Sequence, residues 1–369
     1  MKSRFSLSLV LQLLFAVGTF AVTKIIPTTP GVGATTAQFY SGDSPYFDGP
    51  KLDFVNGTSF DWWYFDAVSS DGTYQLTVTF YTTVATTLGF ATGFGTTNFV
   101  TFTAAYPNGT EYQQFGFAGP VTVSDGLFGI EGNWTGTGFS FTGTADLSYY
   151  RIDIDSPSLG IDGSFTFNSI APAHYPANPY IPGENVSLHL SPVIGWANAI
   201  PDSVAVVDFT LAGVGEPLKF TGSGYHDKNW GIEPLPQAVK SWYWGHGHLG
   251  PYSIVWFDTL NYDGSEKVNG YLTWNGVIIA VSDSGLTARP TGANSTYPPT
   301  STTGNPGGFH IVYNTKDGVF EADVAGQVAW EPALPVGGYT RWAGKITGGF
   351  VGQEKYTGSS VWEWIRFTL

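Results

Sequence analysis

Hydrophobic and polar residues alternate with a period of two along much of the chain. Tyr74, Leu76, Val78 and Phe80 fall on one side and Thr73, Gln75, Thr77 and Thr79 on the other, as a strand with one buried face requires. The same alternation marks Phe139 to Phe141, Ser164 to Phe167, Val186 to Leu190, Val204 to Leu211, Tyr252 to Leu260 and Val361 to Phe367. Asp71-Gly72, Asn108-Gly109, Asp162-Gly163, Asp263-Gly264, Asn275-Gly276 and Asp317-Gly318 supply turn dipeptides between strands. Hardly any twelve-residue stretch lacks Gly or Pro, so long helices are nearly excluded. The pattern predicts an all-β chain, sandwich or barrel.

Breaks in the pattern suggest how the chain is organised. Ala171 to Gly183 holds four Pro residues and reads as a long excursion over the surface or over a pocket. Gly213 to Pro217 precedes the strand Leu218 to Gly222, and the domain boundary is expected there, giving units of residues 22–216 and 217–369. Thr291 to Gly308 is rich in Thr, Ser, Pro and Gly and predicts an exposed loop. No short repeat is evident, which disfavours a propeller or solenoid.

Composition narrows the picture. The 369 residues include 27 Phe, 20 Tyr and 13 Trp, enough apolar surface to build a core and still line a pocket, so disorder is excluded for most of the chain. The net charge is −14, and an acidic surface repels phosphate backbones and anionic lipids, which argues against nucleic acid as a partner.

Lys2 and Arg4 precede the mostly apolar, uncharged run Phe5 to Phe20, and Thr19 and Ala21 set small residues before a cleavage point. Residues 1–21 therefore read as a secretory signal and not a stable membrane anchor. Its removal leaves 13 basic against 29 acidic residues, a charge of −16. Five sequons, at Asn56, Asn108, Asn133, Asn185 and Asn294, point to a secreted glycoprotein. The chain has no Cys, so a large core must hold the fold without disulfides.

The densest chemical constellation is Gly222-Ser-Gly-Tyr-His226-Asp227-Lys-Asn229-Trp-Gly231, followed by Ser241-Trp242-Tyr243-Trp244-Gly-His246-Gly-His248. On a strand, Trp242, Trp244, His246 and His248 project from one face, and Tyr243 from the other. Two indoles and two imidazoles then line one wall, although a core strand whose histidines are satisfied by Asp227 or Asn229 fits the same residues. A metal held by His246, His248 and His226-Asp227 is open on spacing alone. Upstream, Phe60-Asp61-Trp62-Trp63-Tyr64-Phe65-Asp66 leads into the strand ending at Tyr81. Adjacent Trp62 and Trp63 must face opposite sides, and Trp63 or Tyr64 is the better choice for a pocket, with core packing of both the alternative.

Arg341-Trp342 and Trp362-Glu-Trp364 with Arg366 supply further cation and ring pairs, or an exposed Arg covering a Trp. No phosphate loop, nucleophile elbow or H-E-x-x-H motif is present. Paired carboxylates for glycoside hydrolysis stay open among Asp61, Asp66, Asp227 and Asp258.

The run Gly224-Tyr-His-Asp-Lys-Asn-Trp-Gly231, with Asp61-Trp-Trp-Tyr64 upstream and Trp242-Tyr-Trp-Gly245 downstream, resembles the hydroxyneurosporene synthase-like family of two-domain lipocalin-like proteins, and within it the fungal Diels-Alderase branch. The resemblance implies two calycin-type antiparallel barrels side by side, a ligand pocket at or near their junction, and no cofactor. The signal and sequons fit the secreted members that resemble hetero-Diels-Alderases, which join a tropolone-derived o-quinone methide to a humulene-type alkene. Such a cycloaddition needs two reactants held face to face in a dry cavity and a donor on the heterodiene oxygen. That donor is expected to be His246 or His248, with Tyr243 or Arg341 as competitors and Asp227 holding the imidazole. Trp63, Tyr64, Tyr81, His226, Trp242, Trp244 and Trp342 are expected to shape the cavity around hydrophobic small molecules. An isoprenoid hydratase and a secreted binding protein that stacks sugars or other small molecules are the alternatives.

Overall fold

The computed structural model describes residues 22–42, 47–300, 302–334 and 337–367. The signal expected over residues 1–21 lies outside them. Among the described residues the helical elements are two single turns, Ala85–Leu88 and Leu235–Ala238, and the rest of the regular structure is strand. No described helix is long and apolar enough to cross a membrane.

The strands form two antiparallel sheets, of thirteen and ten strands, and each curls until its own strands meet across a core. In the first sheet Trp63 and Phe80 pack on Trp134, with ring centroids 5.6 and 4.8 Å apart, and Phe65 lies 5.2 Å from Phe141. In the second, Tyr243 meets Phe309 at 5.0 Å and Tyr252 meets Phe320 at 4.9 Å. This is the pair of lipocalin-like sheets that the resemblance implies.

The expected strands are present, with three corrections. Val186 to Leu190 is mostly loop, and only His189–Ser191 is strand there. Asp162-Gly163 lies inside the strand Ile161–Ser169, because the turn is completed earlier, over Pro157 to Gly160. The expected boundary at 216/217 falls inside the first sheet. The strand Leu218–Gly231 pairs with Ile194–Leu211 on one side and Phe60–Ser69 on the other. The chain changes sheets only between Gly231 and Ser241. The glycine-rich break at 213–217 is a hairpin between paired strands.

A third apolar cluster joins the sheets. Phe60, Trp62, Tyr64, Trp196 and Tyr225 of the first meet Trp242, Trp244, Phe257, Tyr339 and Ile365 of the second. The central strands are consequently buried on both faces: all ten residues of Phe60–Ser69 and all nine of Tyr252–Leu260 are inside. That is why Trp62 to Phe65 is a continuous aromatic run and does not alternate with polar residues.

The proline-rich excursion packs against both sheets. Its His174 bonds Asn198 at 2.8 Å and stacks 4.1 Å from Tyr271, whose hydroxyl donates to the Pro172 carbonyl. Burial lowers the His174 imidazole to about 4, so it is neutral at pH 7.

Four of the five sequon asparagines, Asn108, Asn133, Asn185 and Asn294, are exposed. Asn56 is buried, its side chain receiving the backbone N–H groups of Thr58 and Ser59 and donating to the Gly33 carbonyl. A glycan there would break a formed turn, so Asn56 is corrected from acceptor to structural residue.

Candidate active site

The two sheets do not close completely where they meet. A cavity with about 570 Å3 of empty space, counting its mouth, lies between Trp62, Tyr64, Thr79 and Tyr81 of the first sheet and Trp242, Tyr339, Arg341 and Glu363 of the second. Leu88, Phe90 and Leu235, from the two helical turns and the loop beside them, line it further. A smaller chamber, with about 220 Å3 of empty space counting its opening, shares Trp62, Tyr64, Trp242 and Glu363 with it and is lined further by Asp227, Asn229, Trp244 and Phe257. The aromatic and apolar lining, with a few convergent polar groups, is that of a small-molecule site.

One wall carries a buried ionic network. Arg341 stands opposite Glu363 in register; its Nη2 donates to the Tyr339 hydroxyl and lies 3.5 Å from a Glu363 carboxylate oxygen. Tyr339 donates to the same carboxylate, and the Trp242 Nε1–H donates to its other oxygen at 3.1 Å. The guanidinium lies 5.1 Å from the Tyr64 ring centroid and 5.4 Å from those of Trp330 and Tyr339, an arrangement that stabilises a desolvated cation. Burial opposes the charge of Arg341, but Tyr339, Tyr64 and Glu363 outweigh it and hold the group above its ordinary range. Burial pushes the Glu363 carboxyl up, against the pull of Arg341. Donors remain for a bound oxygen. Among the described residues Arg341 Nε and the Trp330 indole N–H on the same wall are buried without a partner, and Arg341 Nη1 makes no hydrogen bond.

The inner chamber carries an acid of a different kind. Both hydrogen bonds to the Asp227 carboxyl fall on Oδ2, from Tyr225 at 2.7 Å and Trp196 at 2.8 Å. Burial raises this carboxyl to about 8, with those two bonds pulling the other way. At pH 7 it is mostly the neutral acid and can donate a proton.

Of the residues expected at the site, Tyr64, Tyr81, Trp242 and Arg341 line the main cavity, and Trp244 and Asp227 the chamber. The remaining six do not. Trp63 points into the first core, where its indole donates to the Asp48 carbonyl at 2.8 Å and lies under Lys228. His226 is in the same core, stacked 3.9 Å from Phe65 and bonded to Asp48 at 2.8 Å. Tyr243 and Trp342 belong to the second core.

His246 and His248 do face the first sheet along with Trp242 and Trp244, but their strand carries them past the cavity. At roughly 3.3 Å per residue, His248 lies about 20 Å beyond Trp242. His246 bonds Asp66 at 2.9 Å, and His248 bonds Asp202 at 2.7 Å, which raises its imidazole. Both hydrogen-bond the sheets together and neither reaches the cavity. Asp227 holds no imidazole; its partners are Tyr225 and Trp196. The three histidines go to three different carboxylates, and among the described residues no three His, Asp or Glu side chains gather as a metal site would need.

The sequence reading missed Trp62, Trp330, Tyr339 and Glu363. Trp62 shares its strand face with Tyr64, and Glu363 alternates with the inward Trp362 and Trp364, so period two was the available signal.

Trp62 and Trp63 offer a test of this division. Trp63→Ala should destabilise the fold by roughly 3–5 kcal/mol, the usual range for emptying a packed aromatic site. Trp62→Ala should lower melting temperature much less and raise KM. Thermal melts beside steady-state kinetics check both, and equal loss of stability in the two variants would contradict the assignment.

A family model described as Diels-Alderase-like matches residues 21–294. The quinolone epoxide rearrangement protein penF of Penicillium thymicola is 39% identical over 331 residues, covering 87% of this chain and 89% of that protein. The quinolone epoxide rearrangement protein asqO of Emericella nidulans is 36% identical over 327 residues, with 87% of each covered. The crystal structure of CghA with Sch210972 shares the fold, with a TM-score of 0.73 over 94% of this chain and 99% of that one at 19% identity.

Proposed function

The chain belongs to the Diels-Alderase-like family, and from that premise we propose that it is a fungal enzyme that rearranges or cyclises one hydrophobic, oxygen-bearing substrate in the cavity between its sheets. The observation that carries this reading is a single apolar cavity, built from both sheets, in which a neutral carboxyl and a cationic guanidinium stand among aromatic rings.

The reading favoured by the two quinolone epoxide rearrangement relatives is an isomerisation of an epoxide. Asp227 gives its proton to the epoxide oxygen, the C–O bond breaks, and the electron-poor carbon is met by the faces of Trp62, Trp242 and Trp244. An internal carbon–carbon bond forms and the proton lost from the substrate returns to Asp227, so substrate and product have the same mass. Arg341 Nη1 and the Trp330 N–H hold a second oxygen of the substrate and so orient the epoxide toward Asp227.

A hetero-[4+2] cycloaddition between a tropolone-derived o-quinone methide and a humulene-type alkene makes a related demand, a donor on the heterodiene oxygen in a dry aromatic cavity. Arg341 serves it in place of the histidines first expected. Route through the secretory pathway belongs to the same proposal, supported by the apolar run Phe5 to Phe20 and the four exposed sequon asparagines.

The test is incubation of the purified chain with an aryl quinolone epoxide in 18O-labelled water, followed by mass spectrometry. An unlabelled isomer of the substrate is expected. A labelled product heavier by one water would mark a hydratase, and an unchanged substrate would remove the epoxide reading.

A further inference from the structure

The first sheet has a cavity of its own, with about 700 Å3 of empty space counting its mouth, that shares no lining residue with the inter-sheet cavity or its chamber. It lies where the hairpin between Val121–Gly126 and Gly129–Trp134 meets the turn that follows Phe139–Gly143. Phe47 and Asp48 line it from one loop and Tyr180 from the proline-rich excursion.

Most of the lining is apolar, with Ile130 and Leu147 beside Phe47 and Tyr180, whose rings meet at 4.7 Å. Two carboxyls interrupt it, Asp48 and Asp125. Both are buried, and each keeps an oxygen without a partner, Asp48 Oδ1 and Asp125 Oδ2.

The fold uses only half of Asp48. The Tyr150 hydroxyl at 3.0 Å and the His226 imidazole at 2.8 Å both bond its Oδ2, which ties the loop into the first core. Oδ1 takes part in neither bond, and a buried carboxylate oxygen left unpaired costs stability. Burial, and then the charge of Asp48, raise the Asp125 carboxyl to about 7, although Lys51 and Lys228 pull the other way. Two acidic groups that repel each other therefore share one apolar space.

The missing partner has to be a donor. A divalent metal takes more oxygen ligands than two carboxyls provide, and among the described residues no three His, Cys, Asp or Glu side chains gather. A hydroxyl brings one hydrogen, enough for one of the two oxygens, whereas an ammonium brings three together with the opposite charge. Phe47 and Tyr180 add aromatic rings to the lining, and rings favour a cation over a neutral group.

We propose that this cavity is a second binding site, separate from the reacting one, for a small organic amine. The ammonium bonds Asp48 Oδ1 and Asp125 Oδ2, and the apolar body packs among Phe47, Ile130, Leu147 and Tyr180. The site stands on its own residues, so it and the epoxide reading can fail independently.

The experiment titrates the purified full chain by calorimetry at neutral pH with phenethylamine, phenethyl alcohol, ethylamine and calcium chloride, each alone. Phenethylamine should bind about 10- to 100-fold more tightly than the alcohol, which has the same body without the charge; this is the span of charge-assisted hydrogen bonds. Ethylamine, which lacks the ring, should bind at least about tenfold more weakly than phenethylamine. Asp125→Asn keeps the shape and removes one charge, so it should abolish most of the preference for the amine and leave the Kd of the alcohol unchanged. A thermal melt confirms that the variant folds, and the comparison of ligands on the native chain does not depend on it.

Equal Kd values for phenethylamine and either control, or no binding of phenethylamine at all, would overturn the proposal. Amine binding that survives Asp125→Asn would place the amine elsewhere in the chain, and calcium binding that Asp125→Asn removes would assign the carboxyls to a metal. Either result likewise overturns it.

Discussion

Arg341→Gln is expected to lower kcat/KM by about two orders of magnitude, the usual effect of losing a group that holds the substrate in its reacting geometry. The substitution removes Nη1 from the cavity wall and the cation from the faces of Tyr64, Trp330 and Tyr339. It also leaves Glu363 buried without its cation, which alone costs about 3–5 kcal/mol. Activity could then fall simply because the chain unfolds. Arg341→Gln with Glu363→Gln separates the effects, because two neutral amides can hydrogen-bond to each other and to Tyr339 without a buried charge. The double variant should regain most of the lost melting temperature and none of the activity. Recovery of activity along with stability would show that Arg341 serves the fold and not the reaction.

Asp227→Asn should abolish most turnover, by about 10²- to 10⁴-fold, the range for loss of a general acid, while making the protein more stable near neutral pH. The second half follows from linkage. The carboxyl titrates near 8 in the folded chain and at its ordinary value of 3.8 when unfolded. Below about pH 4 both states carry the proton and pH has no effect through this group. Between about 4 and 8 the unfolded chain ionises and the folded chain does not, so stability falls as pH rises, by up to about 5 kcal/mol.

Asparagine never ionises, and its oxygen can still accept from Tyr225 and Trp196. The melting temperature of Asp227→Asn should therefore exceed that of the native chain by a margin that grows from pH 5 to pH 8. Native turnover should decline above about pH 8 as the acid loses its proton. A margin independent of pH, or turnover that rises through pH 8, would rule out the neutral acid.

Much of the architecture was legible because strand periodicity depends on local residue order. The strand read over Tyr74 to Phe80, the Trp242 to His248 face and the long loop at 291–308 all reappear in the structure, but the polar face expected to be open at Gln75, Thr77 and Thr79 is buried too, because the second sheet packs near it. Face assignment also separated Tyr243 from Trp242 correctly in direction. What period two cannot say is what lies opposite a face. Both faces of Phe60–Ser69 are apolar, so nothing local distinguishes Trp63, inside the first core, from Trp62, in the cavity.

The histidines misled for the same reason. They share a face with Trp242, yet the cavity occupies only one end of that strand, and the partners that claim the imidazoles, Asp66 and Asp202, come from other strands. Glu363 carries chemistry only because its strand pairs in a register that brings it beside Arg341 and Tyr339, a relation between residues more than twenty positions apart.

Filling the cavity tests the account most directly. Pro332 lines the cavity and is half-buried, and Pro332→Trp would place an indole in the space the substrate takes. Product formation from the quinolone epoxide should disappear in this variant while its melting temperature stays within a few degrees of the native value. Undiminished turnover by a chain whose inter-sheet cavity is blocked would contradict the claim that the reaction takes place there.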